Sequence, residues 1–156
     1  MLLRIIRDLT SDEVAGRIKE FEKETGMSFE KFQEYFLKQK PDSKLTRVYF
    51  EWAELVNSYK GYVEEGQVDY TVEEIKEFEP NQVALLTPKR IELLYRLAAL
   101  RVESINDLAK KTRRNVKNVH QDLQVLSKLG FVRLSHRKGK ALIPETLVKE
   151  IAFLVR

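Results

Sequence analysis

Three side chains in the C-terminal half, Lys117, Asn118 and Gln121, have the types and spacing needed to reach the base edges of a duplex. Carboxamides pair bidentately with adenine, and cations pair with guanine or phosphate, when they project together from one side of a helix. On a wheel at about 100° per residue with Val116 at zero, the three fall between about 100° and 200°. Val119, Leu123 and Leu126 fall between about 280° and 340°, so one side is polar and the other aliphatic. Arg113 and Arg114 lie just ahead of this segment, Asn115 can cap it, and Arg137, Lys138 and Lys140 crowd a later turn. Five cations in two turns flanking one helix suit phosphate or minor-groove contact better than an ordinary solvated turn, and they supply affinity rather than sequence preference. Together with Asn115 these residues form the candidate DNA-binding set. His120, about 40° from the aliphatic stripe, reads as a partly buried packing residue; Val125 falls on the polar side, where packing against the hairpin is its only evident role.

Other chemistry is poorly represented. The absence of cysteine removes thiol nucleophiles, disulfides and cysteine-based zinc sites, and two histidines are too few for a histidine-rich metal centre. The pairs Glu64/Glu65 and Glu73/Glu74 sit in polar sequence without the apolar surroundings that tune an acid/base pair, and no glycine-rich phosphate loop occurs. The expectation is a protein that is not an enzyme and needs no cofactor or metal.

The 156 residues suit one ordinary domain or two small ones, and a 43% hydrophobic share can bury a core. The net charge of +4 is unevenly spread. Residues 1–80 carry 12 Lys+Arg against 18 Asp+Glu, a net −6, whereas residues 81–156 carry 16 against 6, a net +10. The basic half is therefore the candidate for nucleic acid, and the acidic half needs another role. No uncharged apolar run is long enough to span a membrane, and Arg4, Arg7 and Asp8 interrupt the first ten residues where a signal peptide would be apolar, so a cytoplasmic protein without a membrane partner is expected.

In the acidic half, Leu2 to Ile6 read as a short strand or a tail. Thr10 and Glu13 form a capping box that opens a helix through Val14, Ile18 and Phe21, with Gly26 placed to end it. Ser28 caps a second helix through Phe29, Phe32 and Phe36, closed by Pro41. Leu45, Val48, Tyr49, Trp52, Leu55, Val56 and Tyr59 make a third, of about sixteen residues, closed by Gly61. Aromatics this dense usually form core, but three short helices make a thin one, and a wide stripe edged by Trp and Tyr has the composition of an interface. Phe32, Phe36, Tyr49, Trp52, Val56 and Tyr59 are the candidate partner-binding residues. Thr71 and Glu74 form a second possible capping box, predicting a short helix in an acidic connector.

In the basic half, Thr87-Pro88 starts a helix whose Ile91, Leu94, Tyr95, Leu97 and Ala98 face a core. Ser104 caps a short helix with Ile105, Leu108 and Ala109. Asn115 caps the next, which carries Val116, Val119, Leu123 and Leu126 and ends at Leu129-Gly130. Phe131–Leu134 and Ala141–Ile143 then read as a hairpin with a basic tip. That order defines a winged helix-turn-helix. The expected fold is mainly α: an acidic helical interaction domain over 1–66, a connector over 67–80, and a winged helix-turn-helix with a two-stranded β wing over 81–156. Residues 145–156 read either as a helix through Leu147, Ile151 and Leu154 or as a strand through Ile151, Phe153 and Val155, with the strand favoured.

The stretches LTPKRIELL (86–94), SINDLA (104–109), RNVKNVHQDL (114–123) and LGFVR (129–133) resemble MarR-like winged-helix proteins of prokaryotes. More narrowly, they look like the DNA-binding antitoxins (TumA-type) encoded beside TumE-type toxins. The resemblance covers residues 86 to about 143, with a weaker match at GMSFEKF (26–32) and FEWAEL (50–55). It implies an autoregulator that binds its own promoter and neutralises a toxin protein. Three possibilities stand side by side: such an antitoxin, a free-standing homodimeric MarR-like transcription factor, and an adaptor whose winged helix binds no DNA.

Overall fold

The computed structural model describes residues 1–136 and 141–156; Arg137, Lys138 and Lys140 lie outside the described residues. The chain divides into two compact units, residues 8–72 and residues 1–7 with 73–156. The first carries 9 Lys+Arg against 14 Asp+Glu, a net −5, and the second 19 against 10, a net +9. The seven N-terminal residues, which the sequence grouped with the acidic domain, thus belong to the basic unit.

The acidic unit holds α1 (Ser11–Thr25), α2 (Phe29–Lys38) and α3 (Ser43–Glu65). The capping box forms as expected: the Glu13 N–H donates to Thr10 Oγ1 and the Thr10 N–H to Glu13 Oε1, at 3.2 and 3.1 Å. Helix α3 runs past Gly61 and ends at Gly66, whose φ of 80° needs a residue without Cβ. An interior glycine costs only about 1 kcal/mol, so Gly61 does not break a helix whose backbone bonds continue on both sides. Trp52 is fully buried, ringed by Phe21, Phe29 and Phe32 at centroid distances of 5.1 to 5.5 Å. Two of the candidate partner-binding residues, Phe32 and Trp52, are therefore core. Tyr49 and Phe36 stack on each other at 4.2 Å at the cluster's half-buried margin. Val56 is half-buried and Tyr59 exposed.

A three-stranded sheet in the order β2-β1-β5 is built from β1 (Leu2–Asp8), β2 (Thr71–Glu77) and β5 (Val148–Leu154), and all of it but Asp8, Thr71 and Val72 belongs to the basic unit. Residues 71–77 form a strand and not the short helix predicted. Thr71 Oγ1 donates to Asp8 Oδ1 at 2.9 Å rather than capping, and Glu74 takes two bonds from the Arg7 guanidinium. The pairing partner, β1, is more than 60 residues away in the chain, so local spacing could not reveal it. The C-terminal ambiguity resolves to the strand: β5 runs antiparallel to β1, with Ile151 opposite Ile5 and Phe153 opposite Leu3.

The Arg7 guanidinium, helped by Lys76, holds the Glu74 carboxyl below its ordinary range, against the opposing effect of partial burial. A depressed folded-state value stabilises the fold above the unfolded carboxylate range, and that contribution disappears as pH falls through the folded value. Glu74→Gln should accordingly lose about 1–2 kcal/mol at neutral pH and match the parent in strong acid, checked by urea denaturation at both pH values.

The remaining elements are a single turn α4 (Pro80–Val83), α5 (Pro88–Ala99), α6 (Ile105–Thr112), α7 (Val116–Lys128) and the antiparallel pair β3 (Val132–His136) and β4 (Leu142–Thr146). Helices followed by this hairpin match the arrangement of a winged helix. Leu93, Leu97, Leu108, Leu123 and Leu126 meet Leu3, Ile5 and Phe131 in one core. Ile91 and Tyr95 do not join it as expected; both are exposed, and Leu93 is the residue turned inward. Among the described residues, no helix is long and apolar enough to cross a membrane.

Candidate nucleic-acid interface

Each of the three helices starts where its cap requires. Thr87 Oγ1 accepts the Arg90 N–H, Ser104 Oγ the Asp107 N–H, and Asn115 Oδ1 those of Lys117 and Asn118 at 2.8 and 3.4 Å. The Asn115 carbonyl oxygen is thereby committed to the cap, so this residue acts in setting the start of α7. Three residues join α6 to α7, and the turn is made by Arg113 in the left-handed region at φ 55°, its N–H donating to the carbonyls of Ala109 and Lys110. At the far end the Gly130 N–H donates to Ser127 O and the Phe131 N–H to Leu126 O, both at 3.0 Å, with Gly130 at φ 84°. This is a Schellman closure, and the buried side chains of Leu126 and Phe131 belong to the same core.

Between these ends α7 has the two faces its spacing predicts. Val119, Leu123 and Leu126 are fully buried. Lys117, Asn118 and Gln121 are exposed together on the other side. His120 is exposed too, which corrects its assignment as a packing residue, and Val116 is 44% exposed at the open first turn. Gln124 and Lys128, not singled out from the sequence, extend the polar face by two turns. The signal was available, because both fall at about 80° to 120° on the same wheel.

Arg114 takes a different place from the one expected. Its Nη2 donates to Asp122 Oδ2 at 2.6 Å, while Arg90 Nε donates to Asp122 Oδ1 at 3.0 Å. Arg90 Nη1 also donates to the Leu85 carbonyl at 3.0 Å. The three charged side chains are each between 13% and 23% exposed. One carboxylate therefore ties α5, the α6–α7 turn and α7 together, and Arg114 acts in holding α7 rather than as a solvent-facing cation. Arg113 remains exposed beside it. Asp122 and Arg90 were missed because their pairing spans 32 residues.

Among the described residues, no group of three or more histidines and carboxylates could hold a metal ion. What the basic unit offers is an exposed helix face of amides and cations, fixed from behind by an aliphatic core and a charge clamp. In class, its helices and the β3–β4 hairpin are consistent with a winged helix. Residues 85–153, from just beyond α4 into β5, match the model of the HVO_A0114 family. No curated protein and no solved structure matches the chain.

Proposed function

We propose that the protein is a sequence-specific regulator of transcription that binds double-stranded DNA as a homodimer and carries out no catalysis. The observation that carries this is α7: it is pinned on one side, while Lys117, Asn118, His120, Gln121 and Gln124 stand free on the other, at the spacing with which a recognition helix reaches base edges. The net +9 of the unit that bears it supplies the long-range attraction to phosphate.

Within that reading the protein is an antitoxin that represses its own promoter, with a toxin protein bound by the acidic unit. The support is the resemblance to winged-helix antitoxins together with Tyr35, Leu37, Phe50 and Tyr59, large apolar side chains left exposed on α2 and α3. Co-expression of a neighbouring gene's product with and without this chain tests it: rescue from killing is expected, and killing unrelieved by the full chain leaves the free-standing regulator.

DNA binding itself is tested by anisotropy with a duplex selected from random sequence. If each copy of the dimer neutralises about four phosphates, about eight in all, log affinity falls with log salt at a slope near −7, about a ten-thousandfold loss between 50 and 200 mM. A salt-independent interaction would support the adaptor instead.

A further inference from the structure

Among the described residues β5 has one strand neighbour, β1, so its other side is a sheet edge. Directly opposed residues in an antiparallel pair share a face of the sheet. Ile151 and Phe153, opposite Ile5 and Leu3, thus project on the side where those two are buried. Yet Phe153 remains 55% exposed, and with Ile91 and Tyr95 of α5 it lines an open, mostly apolar groove of about 330 Å³. Glu150 and Ile151, which point to opposite faces, both line it, so the groove follows the strand's edge as well as its face.

We propose that this groove is the dimer interface, filled by β5 of a second copy running antiparallel across a two-fold axis at Ala152. The side-chain pattern selects that register. With Ala152 opposite its own mate, Ile151 meets the partner's Phe153 and Phe153 meets the partner's Ile151, the aromatic and β-branched pairing that stabilises adjacent strands. An axis at Glu150 would oppose two carboxylates, one at Ile151 would set Lys149 against Phe153, and one at Phe153 would leave only three residues of the strand paired. Charge also permits the approach. In a unit of net +9, the β5 edge carries a local net charge of only +1, Lys149 and Arg4 against Glu150, which is paired with Arg4 at 2.7 Å. Tyr95 at 76% and Phe153 at 55% exposure leave about 250 Å² open per copy, or about 500 Å² across the two-fold. That is over a third of the roughly 1,200 Å² at which specific interfaces begin, before the strand edge and groove walls are counted. The pairing would also close an edge that otherwise invites aggregation.

The inference rests on the dimeric reading above but not on DNA binding. The chain has no cysteine, so Ala152→Cys introduces a single thiol. Opposed antiparallel residues have Cα atoms about 4.5–5.5 Å apart, within disulfide range. On mild oxidation at micromolar concentration, Ala152→Cys should form a reducible covalent dimer at least tenfold more than Val155→Cys, whose site is 94% exposed but about 20 Å from its mate in this register. Light scattering should give a dimer for the parent and a monomer for Phe153→Asp and for Tyr95→Ala, each with unchanged circular dichroism. A dimer in which Ala152→Cys links no better than Val155→Cys overturns the interface and leaves the dimeric reading standing; a monomer at every concentration overturns both.

Discussion

Asp122→Ala is expected to lower the stability of the basic unit by about 2–3 kcal/mol and to weaken DNA binding at the same time. Breaking a buried ion pair from one side costs about 3–5 kcal/mol, because the partner charge stays behind in a poor environment. The residual exposure of Asp122, Arg90 and Arg114 reduces that figure. Asp122→Asn retains an acceptor and should lose less, about 1 kcal/mol. The readout is hydrogen exchange at α7 amides, since Trp52 fluorescence reports only on the acidic unit. Net charge alone pulls the other way: removing a carboxylate next to the recognition surface should strengthen attraction to phosphate. Tighter DNA binding with unchanged exchange would therefore show that the clamp does not position α7.

The second large effect is expected at the exposed face. Asn118→Ala and Gln121→Ala should each lose about 1–3 kcal/mol for the selected duplex, roughly 10- to 100-fold, with little change for unrelated DNA. Lys117→Ala and Arg113→Ala should weaken all sequences more evenly and flatten the salt slope. Binding curves for each variant on selected and scrambled duplexes separate the two patterns. Equal losses on both duplexes for Asn118→Ala and Gln121→Ala would remove them from base contact.

The distribution of success between sequence and structure follows from the range of the interactions. Thr10, Ser28, Thr87, Ser104 and Asn115 were legible as helix starts because a cap bonds an N–H two or three residues away. The aliphatic face of α7 was legible because its period is local. Strand β2 was not, because TVEEIKE carries a capping-box pattern with Val72 and Ile75 at a helical spacing of three, and it is pairing with β1 that makes it a strand. Phe32 and Trp52 looked like interface because their stripe is wide; three aromatic neighbours, drawn from α1 and α2, cover the indole. Arg114 looked like a phosphate contact because the acceptor that claims it, Asp122, lies on the next helix beside Arg90 from a third.

The most direct measurement of the central claim is where α7 lies on DNA. A single Gln121→Cys, carrying an iron chelate that cuts nearby sugars, should cleave the selected duplex at one or two adjacent positions in each half-site, facing the major groove, with half-sites about one helical turn apart. The same chelate at Tyr59→Cys, on α3 of the acidic unit, provides the comparison. Strong cleavage from position 121 and none of that pattern from position 59 is the expected result; bound DNA left uncut from position 121 would contradict the account.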